Sequence, residues 1–220
     1  MKSHRVILSA VAALTLGAIA TPALAEEGAD YEVTVTGYWT ADRFPVEYPK
    51  AGILTGPHFS GIIGATHNGK YEIFREGTQP TPGLERLSEE GKHSPLDGEI
   101  KDAIAAGRAG ALFESDPIRD FTKMATSKVH VTASFPEISA VAMIAPSPDW
   151  FAGASDVNLM DGGKFVSEKT VELFAYDSGG DDGDTYAAAD KDNNPKNATM
   201  TGAQKFFGGR PVGKITFRKV

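Results

Sequence analysis

The sequence contains no cysteine. A domain without disulfides has to be held together by its own packing, or by packing and a metal ion. The usual attachment point for a lipid anchor is missing for the same reason. Clustered positive charge is missing too: 22 Lys and Arg stand against 29 Asp and Glu, a formal charge of −7. Neutralising phosphates takes grouped Lys and Arg, so this balance argues against a nucleic-acid partner and favours solubility and cation binding. Long apolar runs are scarce as well. Outside residues 6–20 nothing approaches the roughly 20 apolar residues that a membrane-spanning helix needs.

What is present begins with Lys2, His4 and Arg5, followed by an apolar stretch over 6–20 and the close Thr21-Pro22-Ala23-Leu24-Ala25. A basic end, a short apolar core and an Ala-x-Ala close are the three parts of a secretory signal. The reading is therefore a signal peptide over 1–25 and a mature chain from about Glu26. Loss of Lys2 and Arg5 takes the side-chain charge from −7 to −9. A cysteine-free chain with such a signal points to a bacterial protein that is periplasmic or secreted.

The remaining chain, 26–220, reads as one all-β domain. Tyr31, Val33, Val35, Gly37 and Trp39 alternate with polar residues, as in a half-buried strand. Val129, Val131, Ala133 and Phe135 repeat the pattern. Residues 138–145 are almost continuously apolar, as expected of a strand covered on both faces. Val171, Leu173 and Ala175 form another strand ending at Tyr176, and Ile215 with Phe217 closes the chain. Helical patterning is confined to residues 83–90 and 97–106, the second with Ile100, Ala103 and Ile104 on one side. Many short strands divided by Pro- and Gly-rich connections predict a sandwich or barrel.

The acid is unevenly spread: residues 177–194 hold six Asp and one Lys. Asp149 stands in Ala145-Pro146-Ser147-Pro148-Asp149-Trp150-Phe151-Ala152-Gly153, read as a loop at the end of the buried strand. Two prolines stiffen it and Trp150 anchors it. Asp177 and Asp181 stand in a second loop after a strand, with Gly179, Gly180 and Gly183 allowing tight turns. Two acidic loops at strand ends suit calcium, which takes six to eight oxygens in irregular geometry. Solvated turn aspartates are the plainer reading of the same spacing. The stretch is not an EF-hand, because Asp182 falls where that loop requires glycine and Ala188 where it requires glutamate. Asp190, Asp192 and Asn194 read as a polar turn.

The run 145–153, followed by Val171-Glu-Leu-Phe-Ala-Tyr-Asp177-Ser-Gly-Gly-Asp181-Asp-Gly183, resembles the spondin domain of F-spondin and mindin. That family has a Pro-Ser-Pro-Asp-Trp turn and, just under thirty residues later, a Trp-Asp-Ala-Gly-Thr-Asp-Ser-Gly loop. Residues 41–49, the segment Phe59-Ser-Gly-Ile-Ile-Gly-Ala-Thr-His67-Asn, and the runs 77–85 and 88–91 resemble it as well. The resemblance implies an eight-stranded antiparallel β-sandwich similar to C2 domains, with calcium held in loops at one end. It places the calcium aspartates on Asp149, Asp177 and Asp181. Tyr176 replaces the family's tryptophan, and Asp182 replaces a serine. Animal members carry cysteines and further adhesion modules that this chain lacks, so their integrin and matrix partners are not carried over.

His58, Ser60 and His67 raise the question of a hydrolase or a zinc pair. No Gly-x-Ser-x-Gly elbow accompanies them, and His67 reads as structural. Met124, Met143 and Met160 read as packing, and Asn197-Ala198-Thr199 is a glycosylation triplet without meaning in a bacterium. Two functions follow. The first is a non-catalytic calcium-binding module for adhesion or ligand recognition, its partner a glycan, lipopolysaccharide or protein. The alternative is a metal-dependent hydrolase built on the same aspartates, for which the sequence names no general base.

Overall fold

A computed structural model describes residues 28–50, 56–121, 123–202 and 204–220. The expected signal over 1–25 and the mature start near Glu26 lie outside the described residues. In chain order the elements begin with β1 (Gly28–Gly37), β2 (His58–Phe59) and β3 (Ile63–His67). Two helices follow, α1 (Pro82–Glu90) and α2 (Leu96–Ala105), then β4 (Ala109–Glu114), β5 (Met124–Thr132), β6 (Glu137–Ala145) and β7 (Trp150–Asn158). The chain continues through β8 (Met160–Asp161), β9 (Lys164–Phe165), β10 (Glu168–Asp177), β11 (Met200–Thr201), α3 (Gln204–Phe207) and β12 (Gly213–Lys219).

Eight strands run in the order β4-β3-β6-β7-β10-β12-β1-β5, all neighbours antiparallel. The end strands β4 and β5 lie against one another, so the sheet is nearly closed on itself. The all-β class is the one that the strand patterns predict, and the eight strands are those that the family resemblance implies. Strand β1 shows why it forms: Ala29, Tyr31, Val33 and Val35 turn inward, and their neighbours stay exposed or half-buried. Period two gives a strand one apolar face, and burying that face fixes its register. Inside, Trp39, Phe59, Trp150, Phe207 and Phe217 fill the space between the two halves of the sheet.

Strand β6 explains its own continuous apolarity. Ile138, Ala140, Ala142 and Ile144 face the interior. Val141 faces outward into a second cluster with Ile63, Phe151, Leu84, Leu87, Leu96 and Ile100. Helices α1 and α2 thus cover the outer face of β3, β6 and β7, and both faces of β6 are dry, as predicted. Helix α1 has local signals at both ends. Thr81 caps it by accepting from the Leu84 N–H at 3.2 Å, Pro82 opens it, and Gly91 ends it in the left-handed region at φ 67°.

Two readings are corrected. Residues 150–153 are not loop; Trp150, Phe151, Ala152 and Gly153 begin strand β7, and the loop is confined to 146–149. Alanine and glycine carry little strand propensity, and here burial on both faces overrides it. The strand predicted through Phe135 also stops earlier, at Thr132, where the Phe135 N–H donates back to the Thr132 carbonyl at 3.0 Å.

Candidate metal centre

Three sequence segments converge at the C-terminal end of β6. Ser147 ties the turn there: its hydroxyl donates to the Ile144 carbonyl and accepts from the Trp150 N–H at 3.1 Å. Asp149 is thereby held inside the protein, 0 % exposed. Its Oδ2 accepts from the Ser178 hydroxyl at 2.8 Å, the Gly180 N–H at 2.8 Å and the Asp181 N–H at 3.1 Å. Its Oδ1 is buried without a hydrogen-bond partner. Asp177 ends β10 directly across from Trp150, and its Oδ1 accepts from the Gly179 N–H at 2.9 Å. Asp181 is also buried; its Oδ1 accepts from the Gly183 N–H at 2.6 Å and its Oδ2 from the Lys191 N–H.

Burial dominates the electrostatics. It raises the Asp149 carboxyl above the ordinary range despite three donors that favour the anion, and the charge of Asp181 adds to the rise. Asp177 is pushed up to about 6, first by burial and then by the charge of Asp149, against the Gly179 N–H and the Trp150 indole. For Asp177 the folded value lies above the ordinary 3.8. Its contribution to stability is therefore present below the unfolded value and lost as pH rises through about 6. In chelator, thermal melts are expected to show this loss between pH 4 and pH 7, smaller in Asp177→Asn; equal slopes in the two proteins would refute it.

The structure gathers the three predicted aspartates around one pair of loops but does not close their carboxylates on a point. Among the described residues, two trios of His or acidic side chains bring one ligand atom each within 4.8 Å of one another. They are His67, Glu137 and Asp156, and Glu85, Glu89 and Asp192. Asp149, Asp177 and Asp181 instead turn onto nearby N–H groups, which keeps like charges apart. A depression of about 460 Å³ lined by Asp177, Asp181, Asp182 and Gly183 leaves this end of the protein open to solvent.

Sequence reasoning missed the second of those trios. A Cβ on Gly180 would lie 2.8 Å from Glu89 Oε1 and 3.1 Å from Glu85 Cγ, so α1 presses directly on the loop that follows β10 and carries Asp181. Glu85 is paired with Lys196 at 2.6 Å. Glu89 Oε1 is buried without a hydrogen-bond partner, and burial followed by the charge of Glu85 pushes this carboxyl up to about 7. Asp192, read as part of a polar turn, forms an isolated β-bridge with Asp181. The i,i+4 spacing of Glu85 and Glu89 puts them on one helix face, a signal that was there to be used.

His58, Ser60 and His67 are each held by separate partners. The His58 ring nitrogen meets the Gly56 carbonyl, and Ser60 Oγ accepts from the Met143 N–H and donates to the Gly61 carbonyl. His67 meets Ser139 Oγ at 2.8 Å. None of these bonds joins one of the three to another.

A family model described as Spondin_N matches residues 29–206. Human (Homo sapiens) spondin-2 is 31% identical over 192 residues, covering 82% of this chain and 56% of that protein. Spondin-2 of Rattus norvegicus is 29% identical over 208 residues, covering 86% and 61%. Spondin-1 of Xenopus laevis is 28% identical over 173 residues, covering 76% of this chain and 21% of that protein. The chain thus spans little more than half the length of the spondin-2 relatives and about a fifth of spondin-1. With the model match running through most of the described sheet, the chain belongs to the Spondin_N family.

Proposed function

We propose that this protein is an exported, non-catalytic recognition module that acts outside the cytoplasm in adhesion or ligand binding. In this reading Asp149, Asp177 and Asp181 hold a calcium ion that fixes its loops. One observation carries the metal part: Asp149 is a fully buried carboxylate whose Oδ1 has no partner, with two further acids beside it. Burying an anion so incompletely satisfied is costly unless a cation compensates. The donor set is all oxygen, and calcium accepts irregular oxygen shells that protein and water share. When bound, calcium would supply positive charge to these carboxylates and order to the segments that carry them. Membership of the Spondin_N family supports the recognition role, and the expected signal over 1–25 supports export.

Probing immobilised glycans, lipopolysaccharide and envelope proteins in calcium and in chelator tests the whole reading. The expected result is binding to one class in calcium, lost in chelator and lost in Asp149→Asn. Two results would overturn it: binding that ignores both changes, or ester, glycoside or phosphate hydrolysis by the metal-loaded protein that disappears in Asp149→Asn.

A further inference from the structure

At the other end of β6 lies a second constellation that shares no residue with the calcium reading. Glu137 opens β6 and Ala145 closes it, so the two ends are about 26 Å apart at the usual strand rise. His67, the last residue of β3, stands directly across from Glu137 in the ladder. Its side chain is 0 % exposed, and its Nδ1 lies 3.7 Å from Glu137 Oε2. Its Nε2 lies 3.9 Å from Asp156 Oδ1. One ligand atom from each of the three falls within 4.8 Å of the others.

A local irregularity brings Asp156 into the group. The register between β6 and β7 shifts between Ile138 and Ala140, and Asp156 takes a left-handed backbone with φ 55°. Its N–H donates to Ser139 Oγ at 3.1 Å. Bulges of this kind re-aim a side chain, and this one turns a carboxylate toward a buried imidazole. Glu72 and Arg75 stand nearby, paired with one another. With a neutral imidazole, Glu72, Glu137, Asp156 and Arg75 leave two negative charges uncompensated around His67. A bound metal ion would answer them.

We propose that His67, Glu137 and Asp156 form a binding site for a transition-metal dication of the zinc class. One imidazole nitrogen and two carboxylates match the donors that zinc prefers, with water completing the shell, whereas calcium favours oxygen throughout. Bonds of about 2.0–2.2 Å place donors of a tetrahedral shell roughly 3.3–3.6 Å apart. The three ligand atoms, within 4.8 Å of one another, reach such a shell by closing movements of up to about 1.5 Å. The acids supply them, since the Asp156 side chain is 51 % exposed and that of Glu137 26 %, while His67 is fixed by packing. Ser139 Oγ, 2.8 Å from Nε2, orients the ring.

The test is calorimetric titration of the metal-free full chain with Zn²⁺ in calcium-containing buffer, with the His67 ring followed by NMR. The expected result is a site that moves the His67 ring resonances and survives in both Asp149→Asn and Glu89→Gln. Glu137→Gln and Asp156→Asn keep side-chain shape at accessible positions. Each is expected to weaken binding by more than the roughly 10–100-fold cost of losing an outer hydrogen-bond partner of a ligand. The proposal is overturned by an absence of Zn²⁺ binding, by binding that leaves His67 unmoved, or by binding indifferent to the Glu137 and Asp156 changes.

Discussion

Replacing Asp149 with asparagine is expected to leave the ion-free protein as stable as before, or more stable, while abolishing its response to calcium. The amide oxygen takes over the role of Oδ2, accepting from Ser178, Gly180 and Asp181. The amide NH₂ falls where the partnerless Oδ1 stood, so a buried charge is removed without removing its hydrogen bonds. The raised Asp149 carboxyl points the same way, because burial already penalises the anion. Calcium at one hundred times its Kd should stabilise the unaltered protein by about 2.7 kcal/mol. At about 2–4 °C per kcal/mol for a domain of this length, the melting temperature should rise by about 5–11 °C. Asp149→Asn should show none of that rise. Asp149→Ala separates the two effects: it strands three donors and should lose stability even in chelator, by about 1–3 kcal/mol for each donor left buried and unsatisfied. Melting curves of the three proteins in calcium and in chelator decide the matter. A full calcium shift in Asp149→Asn would remove Asp149 from the ligand set.

Much of the framework is legible in the sequence because it is local. Period two in β1 and β12 and the continuous apolar run of β6 each report how many faces are buried. Pro82 and Gly91 mark the ends of α1 through backbone chemistry alone. What was not legible depends on tertiary context. Strand β3 is Ile63-Gly64-Ala65-Thr66-His67, too short and too rich in small residues to read as a strand, yet every one of its residues is buried. Phe113 explains one of them: a Cβ on Gly64 would lie 2.3 Å from that ring, so glycine there is a packing requirement. Strand β7 hid in the same way behind Ala152, Gly153 and Ala154. At the metal centre, prolines before Asp149 and glycines around Asp181 marked these two as loop residues, whereas Asp177, read into the same loop, is the last residue of β10. Nothing along the chain revealed that α1 would dock Glu85 and Glu89 onto Gly180, because that approach is set by Leu84 and Leu87 packing beneath the helix.

Trp150→Ala is expected to be the most damaging single change to fold and site together. The ring is 1 % exposed and packs against Tyr186 at 5.3 Å, Phe206 at 5.5 Å and Phe207 at 5.8 Å. Emptying such a position costs about 3–5 kcal/mol, which corresponds to a fall in melting temperature of about 6–20 °C. The loss should not stop at packing. Trp150 follows Asp149 directly and sits opposite Asp177 in the ladder. Through Tyr186 it also holds the acidic segment that begins at Asp181. With the anchor gone, calcium has to order these segments as well as bind them, and its stabilisation falls by that ordering cost. Ile100→Ala is the control, because Ile100 lies under α2 in the outer cluster, and its truncation costs about 2–5 kcal/mol. The calcium-induced rise should shrink in Trp150→Ala and persist in Ile100→Ala. Equal rises in both variants would show that the aromatic anchor and the aspartate loops are energetically separate.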